Sequence, residues 1–311
     1  MYYIVQNEHI KSFTSLCWKD RVVMQFNVGL AQRRPIFEDN PIKPFAADVA
    51  STLGKYPDID MLVYPELHLH GTEHLPEVQR KDAERSKAVI LDSPLVHSLG
   101  EIAKDAGVWL CPGSIGEIDG ERFYNTQLLF NPYGQLVAYY RKMFPWRPFE
   151  PHDYGTQFIV AETAFGRAGL SNCYDAWFPE HSRHLGWLGA EFVLNIVKTI
   201  SPDREQELLL ARVNAITNQN YMLSVNCAAP VGRGRTIAAD PEGYVLGELG
   251  DDEGTLVVSI DTTRVAHVRE NGTCGTNRLW HQLDGAKHDI KLPMYDGRLC
   301  PKTFRPEKDG K

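Results

Sequence analysis

The sequence lacks the long apolar runs of a membrane protein. No stretch of its 311 residues approaches the roughly 18 consecutive apolar residues that a transmembrane helix needs. The first twenty residues include Glu8, Lys11, Lys19 and Asp20 and contain no continuous apolar segment, so they do not resemble a secretory signal. We therefore expect a protein that works in the cytoplasm and has no membrane partner.

Paired cysteines are also missing. The chain has six cysteines, and no two of them are spaced C-x-x-C, so the sequence predicts neither a disulfide framework nor a zinc ribbon. They are Cys17, Cys111, Cys173, Cys227, Cys274 and Cys300. Apart from Cys173, we expect these side chains to be small buried hydrophobic groups.

The chain has no excess of positive charge. It carries 33 Lys and Arg residues against 40 Asp and Glu, for a formal net charge of −7, and its basic residues are dispersed. Nucleic-acid binding needs clustered basic residues, so we expect no nucleic-acid partner.

The segment Gly232-Arg-Gly234 lacks the third glycine and the preceding strand of a dinucleotide-binding loop. It predicts a turn, and we expect no cofactor and no metal.

The composition that remains is that of a soluble globular protein, with 43% hydrophobic and 23% charged residues. Short apolar runs alternate with helix-length segments, and turn signals such as Asn131-Pro-Tyr-Gly mark hairpins among them. This mixture predicts an α/β fold with mixed sheets. Strands are predicted at residues 21–28, 60–65, 108–113, 124–130, 136–142, 191–197, 221–227 and 255–261, and helices at 44–54, 78–106, 179–188 and 204–218.

Cys173 differs from the other cysteines in its local sequence. It lies between an apolar strand and a predicted helix, in Leu170-Ser-Asn-Cys-Tyr-Asp-Ala-Trp-Phe-Pro-Glu. Free backbone N–H groups and the positive end of a helix dipole both favour a thiolate at such a turn. Cys173 is therefore a candidate nucleophile.

Three charged residues also follow strands or lie near their ends. Glu66 comes directly after the strand Met61-Leu-Val-Tyr-Pro and is a candidate general base. Lys142 ends the strand Leu136-Val-Ala-Tyr-Tyr-Arg-Lys, where it could also be a surface residue that terminates the strand. Glu150 follows in Pro145-Trp-Arg-Pro-Phe-Glu and could be a simple loop carboxylate.

Together these segments resemble the nitrilase superfamily of carbon-nitrogen hydrolases, whose members carry a Glu, a Lys and a Cys in this order at strand ends. The matching segments are Tyr64-Pro-Glu66, Tyr140-Arg-Lys142 and Cys173-Tyr-Asp-Ala-Trp-Phe-Pro-Glu180. The chain has 76 residues from Glu66 to Lys142 and 31 from Lys142 to Cys173, which fits the family. The resemblance covers residues 21 to 270.

The resemblance implies a four-layer αββα sandwich in which two mixed sheets pack face to face. Family members pair through helices near the nucleophile, so a homodimer or higher homo-oligomer is implied. Because the three motifs must meet in one site, we expect one carbon-nitrogen hydrolase domain at residues 21–284. It follows an N-terminal leader at 1–20 and precedes an extended C-terminal arm at 285–311, which we expect to cross onto a partner subunit.

The resemblance also implies a mechanism. Glu66 would take the thiol proton, Cys173 would attack the carbonyl of a small-molecule amide, and Lys142 with the backbone N–H of Tyr174 would hold the oxyanion. Glu150 would position the substrate amide. The aromatic residues Trp146, Tyr174 and Trp177 are expected to line the pocket, although each could equally serve core packing.

Several alternatives stay open. Among the activities of the family, we rank an amidase first and an N-carbamoyl amino acid or carbamoyl-amine hydrolase second. A nitrilase ranks third, because Tyr174 follows the nucleophile where nitrilases usually have Trp. From a different class, His68-Leu-His70 after a strand could present two ligands of a metal-dependent amidohydrolase. A catalytically idle binding member of the fold is the remaining hypothesis.

Overall fold

A computed structural model describes residues 25–292 and 297–299 of the chain. The predicted leader at 1–20, the first part of the strand predicted at 21–28, and residues 293–296 and 300–311 of the predicted arm lie outside the described residues. Cys17 and Cys300 lie outside them as well. No helix in the described part of the chain is long and apolar enough to cross a membrane.

The described residues form fifteen strands and six α-helices, several joined by short 3₁₀ turns. The strands are β1 (Gln25–Gln32), β2 (Met61–Val63), β3 (Trp109–Cys111), β4 (Ser114–Asp119), β5 (Arg122–Phe130), β6 (Leu136–Arg141), β7 (Val160–Thr163), β8 (Gly166–Asn172), β9 (Phe192–Val197), β10 (Tyr221–Asn226), β11 (Ile237–Ala239), β12 (Val245–Glu248), β13 (Gly254–Asp261), β14 (Ile290–Leu292) and β15 (Gly297–Leu299). The helices are α1 (Ile42–Lys55), α2 (Glu77–Ser86), α3 (Pro94–Ala106), α4 (Pro179–Trp187), α5 (Arg204–Asn218) and α6 (Thr262–Asn271).

Two large sheets are both mixed. The first has the order β13-β1-β2-β3-β5-β4, with β6 also paired to β5, and its strands β1, β2 and β3 are parallel. The second has the order β12-β11-β10-β9-β8-β7, with β8, β9 and β10 parallel. The short strands β14 and β15 form a separate antiparallel pair.

Side chains alternate between the two faces of each strand, and this alternation defines the layers. On β1, Phe26, Val28 and Leu30 belong to a buried cluster that also contains Phe192 and Leu194 of β9, so this core lies between the sheets. A second cluster joins the other face of the first sheet to α1 and α3, and a third joins the second sheet to α4 and α5. The prediction of a four-layer αββα sandwich is confirmed.

The prediction of one helix at 78–106 is wrong, because this segment forms two helices, α2 and α3. Between them Ser93 is extended, with φ −107° and ψ 157°, as expected for a residue that precedes proline. The Ser93 hydroxyl accepts a hydrogen bond from the backbone N–H of Val96, and Pro94 occupies the first turn of α3. The chain therefore ends one helix and starts another at this point.

The loop between β3 and β4 lies close to the end of β2. Gly113 has φ +89°, and a Cβ atom added to it would lie 1.9 Å from the carbonyl oxygen of Pro65. The residue after Pro65 is Glu66, so this close contact fixes the backbone from which the Glu66 side chain extends.

Replacing Gly113 with alanine is expected to lower the free energy of unfolding by about 3 kcal/mol, because backbone strain and a backbone clash add together. Gly107→Ala is the matched control, since Gly107 also has a positive φ of +68° but an added Cβ meets nothing within 4 Å. It should cost only about 1–2 kcal/mol. Chemical denaturation measures both variants, and equal losses would contradict the prediction.

Candidate active site

The site is built around a buried cation. The Lys142 side chain follows β6 and is fully buried, and its Nζ lies 2.8 Å from Glu66 Oε1 and 2.5 Å from Glu150 Oε1. Burial lowers the pKa of Lys142, but the carboxylates of Glu150 and Glu66 outweigh burial and raise it well above its ordinary value. Lys142 is therefore a permanent ammonium between two carboxylates.

Asparagine side chains hold Glu66 in place. Asn125 of β5 donates a hydrogen bond from Nδ2 to Glu66 Oε1 at 2.8 Å, and Asn172 of β8 donates to Asn125 Oδ1 at 2.9 Å. The backbone N–H of Leu67, a residue with φ +48°, donates to Ser114 Oγ at 3.0 Å. These contacts join the end of β2 to both sheets and orient the Glu66 carboxylate.

Cys173 begins a short 3₁₀ helix, Cys173–Trp177, directly after β8, and has φ +50°. The turn is fixed by Asp175, which accepts hydrogen bonds from the backbone N–H of Asn172 at 3.0 Å and of Phe144 at 2.9 Å. The Tyr140 hydroxyl also donates to Asp175 at 2.7 Å. Asp175 thus connects the Cys173 turn to the segments on either side of Lys142.

The expectation that the turn favours a thiolate is wrong. Burial raises the pKa of Cys173 well above its usual range, the Glu66 charge raises it further, and Lys142 only partly opposes them. The helix that begins at Cys173 is a 3₁₀ helix of only five residues, and the α-helix α4 begins later at Pro179. At rest the group is a thiol, which needs a base to become a nucleophile.

Glu150 lies beside His152 as well as Lys142. Burial alone would raise the pKa of Glu150, but Lys142 and His152 lower it from 4.5 to about 2. The fully buried His152 ring has its Nδ1 3.7 Å from Glu150 and its Nε2 3.4 Å from Glu84. The Arg147 guanidinium donates to the carbonyl oxygens of Glu150 and His152 and so fixes this loop.

The predicted aromatic residues occupy two places. Tyr174 and Trp177 are neighbours on the 3₁₀ helix, with ring centroids 6.0 Å apart, and Trp177 Nε1 donates to Glu207 at 3.4 Å. Trp146 packs against Phe149, with centroids 4.3 Å apart. All three predicted residues are partly exposed, and their contact with substrate stays a prediction.

The two histidines of the metal hypothesis are both affected by burial. The His68 ring stacks on Tyr64 with centroids 5.2 Å apart and lies 5.9 Å from Phe45 of α1, so it belongs to the packing between the first sheet and α1. Burial lowers the pKa of His68 and of His70 to about 4. Within the residues that the structure describes, no cluster of three or more His, Cys, Asp or Glu side chains could hold a metal ion.

The other described cysteines divide into two groups. Cys111 and Cys227 are buried as expected, and burial raises their pKa to about 11 and about 12. Cys274 is exposed, so the expectation that it is a buried hydrophobic group is wrong. It lies with φ +52° in the short turn after α6, which offers little surface to cover it.

Sequence reasoning missed the residues that hold the site together: Asn125, Tyr140, Asn172, Asp175, Thr199 and Glu207. One signal was available for Asn125, because Asn-Thr-Gln is a polar interruption in an otherwise apolar strand. Buried polar residues on a strand need partners, and a cluster of them indicates a site or a network.

Comparisons with known proteins show the family of the chain. The family model described as Carbon-nitrogen hydrolase matches residues 28–270. A formamidase from Bradyrhizobium diazoefficiens is 29% identical over 262 residues, which cover 79% of this chain and 72% of the relative. A formamidase from Pseudomonas syringae pv. tomato is 29% identical over 217 residues, which cover 67% of this chain and 62% of the relative.

Solved structures share the fold. Nit3 of Saccharomyces cerevisiae, a member of branch 10 of the nitrilase superfamily, gives a TM-score of 0.71 at 24% identity, with 79% of this chain and 93% of that chain covered. An amidase from Nesterenkonia sp. AN1, with the acetamide moiety of fluoroacetamide added covalently at its active-site cysteine, gives 0.66 at 24% identity, with 80% and 97% covered. None of these findings supports a metal-dependent site at His68 and His70.

Replacing Glu66 with glutamine is expected to lower the pKa of the Cys173 thiol, because the carboxylate charge that raises it is removed. The measurement is the rate of Cys173 alkylation by a neutral reagent as a function of pH, followed by peptide mapping. The midpoint should move to lower pH in the variant. A midpoint that stays in place or rises would contradict the electrostatic coupling.

The low pKa of Glu150 predicts an acid-sensitive contribution to stability. A carboxyl whose folded pKa lies below its unfolded value stabilises the fold above the unfolded pKa, and this contribution is lost as the pH falls from 4.5 towards 2. Glu150→Gln should therefore show a smaller loss of unfolding free energy across that window, measured by urea denaturation. The same substitution at Glu101, an exposed residue of α3, is the control. Parallel profiles for wild type and Glu150→Gln would contradict the prediction.

Proposed function

The chain belongs to the carbon-nitrogen hydrolase family, and from that membership we propose that it hydrolyses the carbon-nitrogen bond of small amides. The catalytic groups we propose are Glu66, Lys142 and Cys173. The observation that carries the proposal is the fully buried Lys142 ammonium, held by Glu66 and Glu150 beside the Cys173 thiol. Because the pKa of that thiol is raised, a base must remove its proton before it can attack, and Glu66 is the base that we propose.

The first half of the proposed reaction forms a thioester. Glu66 takes the thiol proton, the sulfur forms a bond to the amide carbon, and the carbonyl electron pair moves to oxygen. Lys142 and the backbone N–H of Tyr174 stabilise that oxyanion. When the carbonyl re-forms, the carbon-nitrogen bond breaks, the nitrogen takes the proton from Glu66, and ammonia leaves.

The second half releases the acid. Glu66 takes a proton from a water molecule whose oxygen attacks the thioester carbon. The tetrahedral intermediate collapses with cleavage of the carbon-sulfur bond, and the sulfur recovers a proton from Glu66. The sum is one amide and one water converted to one carboxylic acid and one ammonia, with no cofactor required.

Small primary amides are the substrate class that we favour. The formamidase relatives and the amidase structure both carry names of amide-hydrolysing enzymes. Glu150, bonded to Lys142 and kept ionised by its low pKa, is suited to accept a hydrogen bond from the substrate nitrogen. We propose that the walls of the substrate pocket include Trp146, Tyr174 and Trp177. N-carbamoyl compounds and then nitriles are the alternatives.

We also propose that the protein is a cytoplasmic homodimer or larger homo-oligomer. Leu209 and Val213 lie one turn apart on α5 and are 61% and 48% exposed, which offers an apolar face for such a contact. Light scattering of the purified protein measures this state, and a monomer at working concentration would contradict it.

The experiment that tests the function is ammonia release from formamide, short aliphatic amides, N-carbamoyl amino acids and nitriles. We expect the amides to be turned over and the nitriles not. Lys142→Ala should lower kcat by at least about a hundredfold, because an oxyanion donor is lost. Turnover of nitriles alone would contradict the substrate class.

Two variants complete this test. Lys104→Ala removes an exposed lysine of α3 that pairs with Glu101, and it should keep full activity. Cys173→Ala should remove all ammonia release while the protein stays folded. Amide hydrolysis that survives in Cys173→Ala, or that a chelator abolishes, would contradict the thiol mechanism.

A further inference from the structure

A threonine hydroxyl lies next to the nucleophile. Thr199 follows β9 and is buried, and its Oγ1 lies 4.0 Å from Cys173 Sγ. Both backbone groups of Thr199 are fixed, since its N–H donates to Asn226 Oδ1 at 2.9 Å and its carbonyl accepts from the N–H of Arg233 at 2.9 Å. The backbone that carries the hydroxyl therefore has little freedom to move.

Glu207 of α5 determines the direction of this hydroxyl. The Thr199 Oγ1 lies 2.8 Å and 2.7 Å from the two carboxylate oxygens of Glu207. The other partners of the carboxylate, Arg204 at 3.0 Å and the Trp177 indole N–H at 3.4 Å, can only donate. The Glu207 carboxylate therefore accepts hydrogen bonds from Arg204, Trp177 and Thr199. The Thr199 hydroxyl donates its hydrogen bond to Glu207. The oxygen is left with lone pairs that can only accept.

We propose that Thr199 accepts a hydrogen bond from the N–H of the substrate amide, and that it is a specificity-determining residue for compounds that carry such an N–H. This inference rests on the proposed function. Glu207 is then a positioning residue that acts through the Thr199 hydroxyl. Together with Glu150, Thr199 supplies a second acceptor, which matches the two N–H bonds of a primary amide.

The distances suit this role. A carbonyl carbon approaches the attacking atom to about 3–3.5 Å before the bond forms. The nitrogen bonded to that carbon can therefore reach an acceptor that lies 4.0 Å from the sulfur when the amide is turned towards Thr199. An ester of the same acyl group has no N–H and leaves the oxygen of Thr199 unpaired. Sites built to hydrogen-bond a substrate N–H discriminate strongly against analogues that lack it.

The test compares an amide with an ester of the same acyl group. Thr199→Val keeps the shape of the side chain but removes the acceptor, and it should lower kcat/KM for the primary amide by about tenfold to a hundredfold. The value for the ester, and the rate at which methyl methanethiosulfonate modifies Cys173, should change by less than about twofold. Thr199→Ser should restore amide turnover, since it keeps the hydroxyl.

Thr217→Val is the matched control, because the hydrogen-bond partners of Thr217 among the described residues, Val213 and Asn218, belong to its own helix, α5. It should leave all three rates unchanged. Equal losses with amide and ester in Thr199→Val would mean that Thr199 merely orients the thiol, and would overturn the inference alone. Absence of ammonia release by the wild-type protein from any amide would instead overturn the proposed function and this inference with it.

A second variant tests the positioning role. Glu207→Gln has the same shape, but its amide group can donate to Thr199 and release the hydroxyl proton from its fixed direction. The ratio of amide to ester kcat/KM should fall as it does in Thr199→Val, with the melting temperature recorded to verify folding. An unchanged ratio would contradict the role of Glu207 in setting the polarity of the hydroxyl.

Discussion

The fully buried ammonium of Lys142 is the constraint on which the site depends. An unpaired charge inside a protein costs several kcal/mol, so the fold must supply carboxylates at hydrogen-bond distance. Glu66 reaches it from the end of β2 and Glu150 from the loop after β6. The negative charges of Glu66 and Glu150 also raise the pKa of the neighbouring Cys173 thiol.

The sandwich explains why residues so far apart in sequence can meet. The two sheets pack face to face, and the hydrogen bond between Asn172 of β8 and Asn125 of β5 crosses from one sheet to the other. Asp175 adds a second connection, because it accepts hydrogen bonds from both the Cys173 turn and the segment after Lys142. The position of the sulfur relative to the charged cluster therefore depends on the packing of whole sheets.

Composition and turn signals alone predicted an α/β fold with mixed sheets. The four-layer sandwich and the roles of the charged residues were implied by the resemblance of three motifs to the nitrilase superfamily. The sequence could not reveal Asp175 or Thr199, whose contacts with Phe144 and Cys173 span 31 and 26 residues. For Asn125 it offered only the polar interruption of β5. The thiolate expectation failed because burial and the Glu66 charge raise the pKa of the thiol, neither of which is visible in the local sequence of Cys173. The segment that starts at Cys173 is also only a five-residue 3₁₀ helix. The division between α2 and α3 was readable from Ser93-Pro94, but the helical composition of the flanking residues obscured it.

The arrangement of one cation between two carboxylates has a consequence for charge conservation. At rest Lys142, Glu66 and Glu150 together carry a net charge of about −1 beside a neutral thiol. In the proposed reaction Glu66 becomes neutral as it takes the thiol proton, and the substrate oxygen becomes negative. The total stays the same, and only the position of one negative charge changes around a fixed cation. No counter-ion has to enter or leave the protein interior during a turnover.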